Sequence, residues 1–122
     1  MDREQFQHRT KQLALRVIKL VEALPRGTTT SIIGRQVLRS ATSVGANYRA
    51  ACRARSTADM IAKLKIVEEE ADETLYWLEL LVEAGIMPSA RLEPLMTETN
   101  EIVAMTVASI KTLRRRRHNR KS

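Results

Sequence analysis

The 122-residue sequence predicts an all-α protein, an up-down-up-down antiparallel four-helix bundle. Three observations carry that expectation. Apolar residues recur at alternating steps of three and four along most of the chain, the helical period. Breakers cluster at only a few places, with four Gly and three Pro in all. Aromatic residues make up 3%, and β-branched residues almost never alternate, which argues against a sandwich or barrel.

Pro25-Arg26-Gly27 ends a first helix, and Thr28 to Ser31 offer N-caps for a second. Ser56 followed by Asp59 reads as a relaxed capping box that opens a third. Gly85 stops that helix in the C′ position, and Pro88-Ser89 restarts the chain. The helices are expected over 3–24, 31–55, 57–84 and 89–115, joined by loops short enough to make neighbours antiparallel. Pro94 falls inside the fourth pattern, so that helix either begins near Glu93 or is kinked in its first turns.

At about 100° per residue, each helix shows one core stripe. The first uses Phe6, Leu13, Val17, Leu20 and Leu24; the second Ile33, Val37, Ser40, Val44, Tyr48 and Ala51. The third uses Met60, Leu64, Val67, Ala71, Leu75, Leu78 and Val82. The fourth uses Leu92, Leu95, Thr99, Ile102, Thr106 and Leu113, with Val103 and Ile110 beside them. Four amphipathic stripes satisfy one another in a single core, giving a bundle over 1–113.

Three features are left over. Ile66, Glu70, Glu73, Trp77, Leu80 and Ala84 form a second strip on the third helix, nearly opposite its core stripe. Either a tilted neighbour or loop covers this strip, or Trp77 lies flat on the surface, or the strip is a protein interface, and a homo-oligomer is the favoured reading. Gly34, Ala41, Gly45 and Cys52 line the second helix with small residues, permitting close approach by another helix; Asn47 borders its core face, where an Asn commonly fixes register. Arg35, Arg39, Arg49 and Arg53 form a ridge that serves either as partners for the acids of the third helix or as phosphate contacts.

Charge is sharply segregated. Residues 1–56 carry a net +8, residues 57–110 a net −8, and residues 111–122 the remaining +7, which equals the net charge of the whole chain. Lys111, Arg114, Arg115, Arg116 and Arg117 lead that last segment, so 114–122 is expected to be a basic tail, mobile beyond about Arg115. It reads equally as a solvated end or as an arm that neutralises phosphates.

Catalytic chemistry finds no support. His8 and His118 lie near the chain ends, so no Ser/His/Asp or Cys/His set assembles. The acidic run from Glu68 to Glu73 lacks the Glu-x-x-His partners of a di-iron bundle, and no Gly-rich phosphate loop is present. With one cysteine, Cys52, neither an internal disulfide nor a cysteine metal site can form. No catalytic residue, metal or cofactor is expected. The first residues have no signal-peptide layout and no apolar run approaches a membrane span, so the expected protein is cytoplasmic, with no membrane partner.

The string Arg39-Ser40-Ala41-Thr42-Ser43-Val44-Gly45-Ala46-Asn47-Tyr48-Arg49-Ala50-Ala51-Cys52-Arg53-Ala54-Arg55-Ser56 resembles the signature of a bacterial family. The family is named after proteins encoded in intervening sequences of 23S (large-subunit) ribosomal RNA genes. Lys63 to Glu73, Tyr76 to Leu81 and Ala108 to Thr112 resemble its further blocks. The resemblance implies a four-helix bundle that assembles into a ring, typically a pentamer, with no known enzymatic activity. It also implies similarity to the basic accessory protein of diversity-generating retroelements, which binds nucleic acid and a reverse transcriptase. Two functions follow as expectations. One is a non-enzymatic, oligomeric protein that binds RNA or DNA. The other is a scaffold ring that binds a protein partner and no nucleic acid.

Overall fold

A computed structural model describes residues 2–121. Its elements are α1 (Arg3–Glu22), α2 (Thr28–Cys52), α3 (Thr57–Glu83) and α4 (Ser89–Lys121). The four helices pack as a bundle in which α2 meets α3, α3 meets α4 and α1 meets α2 along broad faces, while α1 and α4 close the ring along a narrower seam.

Each boundary has a local cause. Asp2 caps α1 by accepting from the Gln5 N–H at 2.8 Å, and the Gln5 side chain accepts the Asp2 N–H in return. This capping box is absent from the sequence-based expectation. Ser56 caps α3, its Oγ accepting the Asp59 N–H at 3.0 Å. Gly85 has φ 73°, the left-handed conformation that lets the Ile86 and Met87 N–H groups turn back to the Leu81 carbonyl. α2 starts at Thr28 rather than 31, with Gly27 as a cap that makes no side-chain bond. α4 begins at Ser89 and continues through Pro94, so it does not start near Glu93, and Pro94 lies inside its second turn. The missing N–H falls near the helix start, and Leu92 and Leu95 are buried on either side of it. At its other end α4 continues past 115 to Lys121.

The core stripes of α1, α2 and α4 fall where the sequence puts them except at two ends, where Leu24, beyond the end of α1, and Leu113 are only half-buried; Thr10, Thr30, Gly34 and Ala41 are buried in addition. α3 differs. Its buried residues are Ile61, Leu64, Val67, Ala71, Thr74, Leu78 and Leu81, whereas Met60, Leu75 and Val82 sit at the rim. The buried seam keeps close to the coiled-coil period and so drifts around a straight helix by about 20° per heptad. By the C-terminal half of α3 the drift has exchanged Leu75 for Thr74 and Val82 for Leu81. Thr74 is accommodated because its hydroxyl shares a 2.9 Å hydrogen bond with Ser40 of α2 and also reaches the Glu70 carbonyl.

The small residues of α2 face α1. A Cβ at Gly34 would lie 3.2 Å from Leu24 Cδ1, and one at Gly45 would lie 3.4 Å from the Thr10 carbonyl oxygen. The Gly45 side is a backbone-to-backbone approach with no flexible neighbour to give way. Gly45→Ala is expected to change stability little, because a helix-propensity gain of about 0.8–1.0 kcal/mol offsets slight crowding. Gly45→Leu is expected to lose about 1–3 kcal/mol, as overpacked sites do. Thermal denaturation of the two variants beside the parent checks both outcomes.

Candidate nucleic-acid interface

The arginine ridge of α2 divides once the helices pack. Arg39 leans toward α3, where its guanidinium hydrogen-bonds Glu70 Oε2 at 3.2 Å and also Glu73. Arg49 and Arg53 lean the other way, into a cleft against α1 that also contains Gln7 and Lys11. Arg35 stands at the far end of the α1/α2 groove, beside Arg26 and Gly34. The ridge is therefore three separate features. Arg39 is committed to carboxylates, and Arg35, Arg49 and Arg53 make no ion pair among the described residues.

The second strip of α3 does not lie opposite the core as expected. Drift of the core seam brings it to the flank that faces α2, so Ile66, Glu70, Glu73, Trp77 and Leu80 are all half-buried. Trp77 and Leu80 pack against the core cluster. The Trp77 indole N–H donates to Glu73 Oε1 at 3.2 Å, and Tyr76 meets Trp77 edge-on with ring centroids 5.1 Å apart. Tyr76 itself is exposed, as are Leu15 and Ile18 on the outer side of α1 and Ile32 at the start of α2. Sequence reasoning does not single out these four. Their only signal is being apolar off the core stripe.

Asn47 binds locally, its Nδ2 donating to the Ser43 carbonyl at 2.9 Å and to Ser43 Oγ, so it does not set register between helices. A second clamp closes the α1/α4 seam. Arg9 Nε donates to Glu98 Oε2 at 2.9 Å, and another of its nitrogens reaches Glu101 at 3.0 Å. The Glu98 hydrogen bond is the main reason its guanidinium is held even more firmly protonated than usual.

Antiparallel topology gathers the start of α1, the end of α2, the start of α3 and the end of α4 at one pole. A cleft there is lined by Arg3, Phe6, Tyr48, Met60, Leu113 and Arg116, with Phe6 stacked on Tyr48 at 4.2 Å. Residues 114–117 extend from this pole as exposed helix. Elsewhere, between α3 and α4, Glu79, Glu83 and Glu93 line a groove that contains no basic residue. Among the described residues, no group of three or more His, Cys, Asp or Glu is placed to hold a metal ion, and no helix is long and apolar enough to cross a membrane.

Comparison with known proteins agrees with this architecture. The model of the family described as 23S rRNA-intervening sequence protein matches residues 4–108. A crystal structure of a protein of unknown function from the S23 ribosomal protein family of Bacteroides thetaiotaomicron is 35% identical, with a TM-score of 0.84. The match covers 91% of this chain and 99% of that one. No curated protein matches. The arginine run at 114–117 lies beyond the span that the family model matches.

Arg39 and, secondarily, the Trp77 indole hold the Glu73 carboxyl below the ordinary carboxylate range. A depressed carboxylate contributes stability that is present above its unfolded pKa and is lost as pH falls through the folded value. Trp77 is the only tryptophan, so its fluorescence reports this contact directly. An acid titration of that signal is expected to have its midpoint below the free Glu value of about 4.3, and Arg39→Gln is expected to move the midpoint up. Equal midpoints in the two proteins would show that the clamp does not hold Glu73 in solution.

Proposed function

The chain belongs to the 23S rRNA-intervening sequence protein family, and from that membership and the layout of its unpaired cations we propose a non-enzymatic, homo-oligomeric nucleic-acid-binding accessory protein. The single observation that carries this reading is the contrast among the arginines. Arg9 and Arg39 are held by carboxylates, whereas Arg35, Arg49, Arg53, Lys111 and Arg114 to Arg117 are exposed and make no ion pair among the described residues. On α3, Glu70 and Glu73 are already shared with Arg39. All of the unpaired cations but Arg35, which stands at the far end of the α1/α2 groove, gather toward one pole, and unspent positive charge of this kind attracts a polyanion without selecting a sequence. With so few aromatic rings, stacking on bases contributes little, so RNA and DNA are both expected to bind through phosphates.

A scaffold reading has one observation in its favour. The acidic α3/α4 groove complements the basic α1/α2 side, so copies of the chain, or a basic protein partner, fit it electrostatically. The two readings part on a salt titration. The full chain is expected to bind RNA and DNA with an affinity that falls by a log–log slope of about 0.7 to 0.9 per phosphate contact. Deleting 114–122 is expected to weaken binding and flatten that slope while leaving the helical signal at about 222 nm and the melting transition in place. Binding unchanged by the deletion makes the arginine run a solvated end, and no binding by either form favours the scaffold.

Assembly through the exposed edge of α3 is part of the proposal. Tyr76 projects there beside half-buried Trp77 and Leu80. Light scattering at tens of micromolar is expected to give a mass of several chains, reduced in Tyr76→Glu with Leu80→Glu. A monomeric parent, or a double variant of unchanged mass, overturns the assembly.

A further inference from the structure

We propose that the cleft between α1 and α2 is where the backbone of a nucleic-acid strand is gripped, a local phosphate site distinct from the terminal arginine run. The inference rests on the nucleic-acid reading above and names the residues that carry it. The cleft encloses about 370 Å³ and is lined by Gln7 and Lys11 from α1, by Gly45, Ala46 and Arg49 from α2, and by Arg53, which caps the end of α2. No acidic residue lines it, and none of its three cations makes an ion pair among the described residues.

Three like charges facing one hollow repel one another, and the fold gives a reason for only part of that arrangement. Arg49 and Arg53 sit at the C-terminal end of α2, where the helix dipole favours a cation. Lys11 has no such reason, because it stands in the middle of α1 and comes to the cleft from the opposite wall. A bound anion resolves the repulsion from both walls at once. Arg49 and the C-cap Arg53 are four residues apart, a span of about 6 Å at the helical rise, which lets the two guanidiniums address different phosphates of one strand. The floor is kept open by small residues: Gly45 offers no side chain, and Ala14 and Ala46 offer one methyl each. The Gln7 amide supplies a neutral donor for a phosphate or a sugar hydroxyl. The cleft lacks any ring on which a base could stack, so it takes the sugar–phosphate edge and leaves the bases outside.

Two variants of the full chain test the site by fluorescence anisotropy against a short mixed-sequence RNA at several salt concentrations. One is Lys11→Ala with Arg49→Ala, at two exposed positions; the other is Ala46→Glu, which puts a carboxylate into the cleft on a helix-compatible side chain. Both are expected to melt as the parent does and to bind more weakly. In the double variant the salt slope is expected to become shallower by about 0.7 to 0.9 for each phosphate no longer neutralised, although the arginine run is intact. Variants that bind as tightly as the parent, with the same slope, overturn the cleft and leave the nucleic-acid reading standing. A parent that does not bind the RNA at all overturns both. Adenosine monophosphate separates the two sources of phosphate. Failure to displace the RNA at micromolar concentration supports the strand, whereas displacement there assigns the cleft to a free nucleotide and overturns it.

Discussion

The close approach of α1 to α2 across Gly34 and Gly45 is the contact on which the rest of the molecule depends. These helices carry most of the basic residues of the front half, and pressing them together runs against their mutual repulsion. Burial makes it possible. Leu13, Val17, Val37 and Val44 are fully buried between and beneath them, and burying each such side chain contributes about 1.5–3 kcal/mol. The ion pairs are too weak to do this. Arg39 is 49% exposed, and pairs at that exposure contribute about 0.2–1 kcal/mol each. The core therefore fixes the arrangement, and the charges are carried along by it.

That order of causes explains why one ridge in the sequence becomes three features in space. Arg35, Arg39, Arg49 and Arg53 share a face of an isolated helix, and nothing in their spacing says which neighbour each will meet. The glycine side of α2 admits α1 and the opposite flank receives α3, so a small angular difference decides between them. Arg39 falls on the α3 side and meets Glu70 and Glu73, and Arg49 and Arg53 fall on the α1 side and meet Lys11.

Much of the fold was legible because its signals are local. The capping Ser56, the left-handed Gly85 and the small-residue stripe each act within one or two turns, and each is found where the pattern puts it. The misplaced strip on α3 shows what local reading omits. A wheel turned by a fixed angle treats the helix as facing one partner, but the seam drifts along it, so Trp77 and Leu80 end on the flank of the core instead of opposite it. The cleft was half legible. Arg49 and Arg53 stand out as cations on a common face, but Gln7 and Lys11 belong to a different helix and have no distinguishing pattern of their own. Only the packing of α1 on α2 makes them neighbours.

Chain topology supplies the last link between charge and function. In an up-down-up-down bundle the first helix begins and the fourth helix ends at the same pole, so two segments far apart in sequence become adjacent. Here Arg3 and Arg116 line one cleft, and Lys11, Arg49 and Arg53 line another on the neighbouring flank. The carboxylates that balance the front half stand on α3 and α4, among them Glu79, Glu83 and Glu93 between those two helices. Segregation along the sequence is thereby converted into segregation across the body, one side basic and one acidic. A molecule divided in this way carries opposite charges for its own copies and a positive surface for polyanions. Which of these wins at a given cation depends on distance. Arg39 has carboxylates within hydrogen-bonding reach, and the cations of the α1/α2 cleft do not. The cleft cations make no ion pair among the described residues, and attraction between exposed charges weakens with distance and with salt, so those cations stay available to a phosphate that comes to contact.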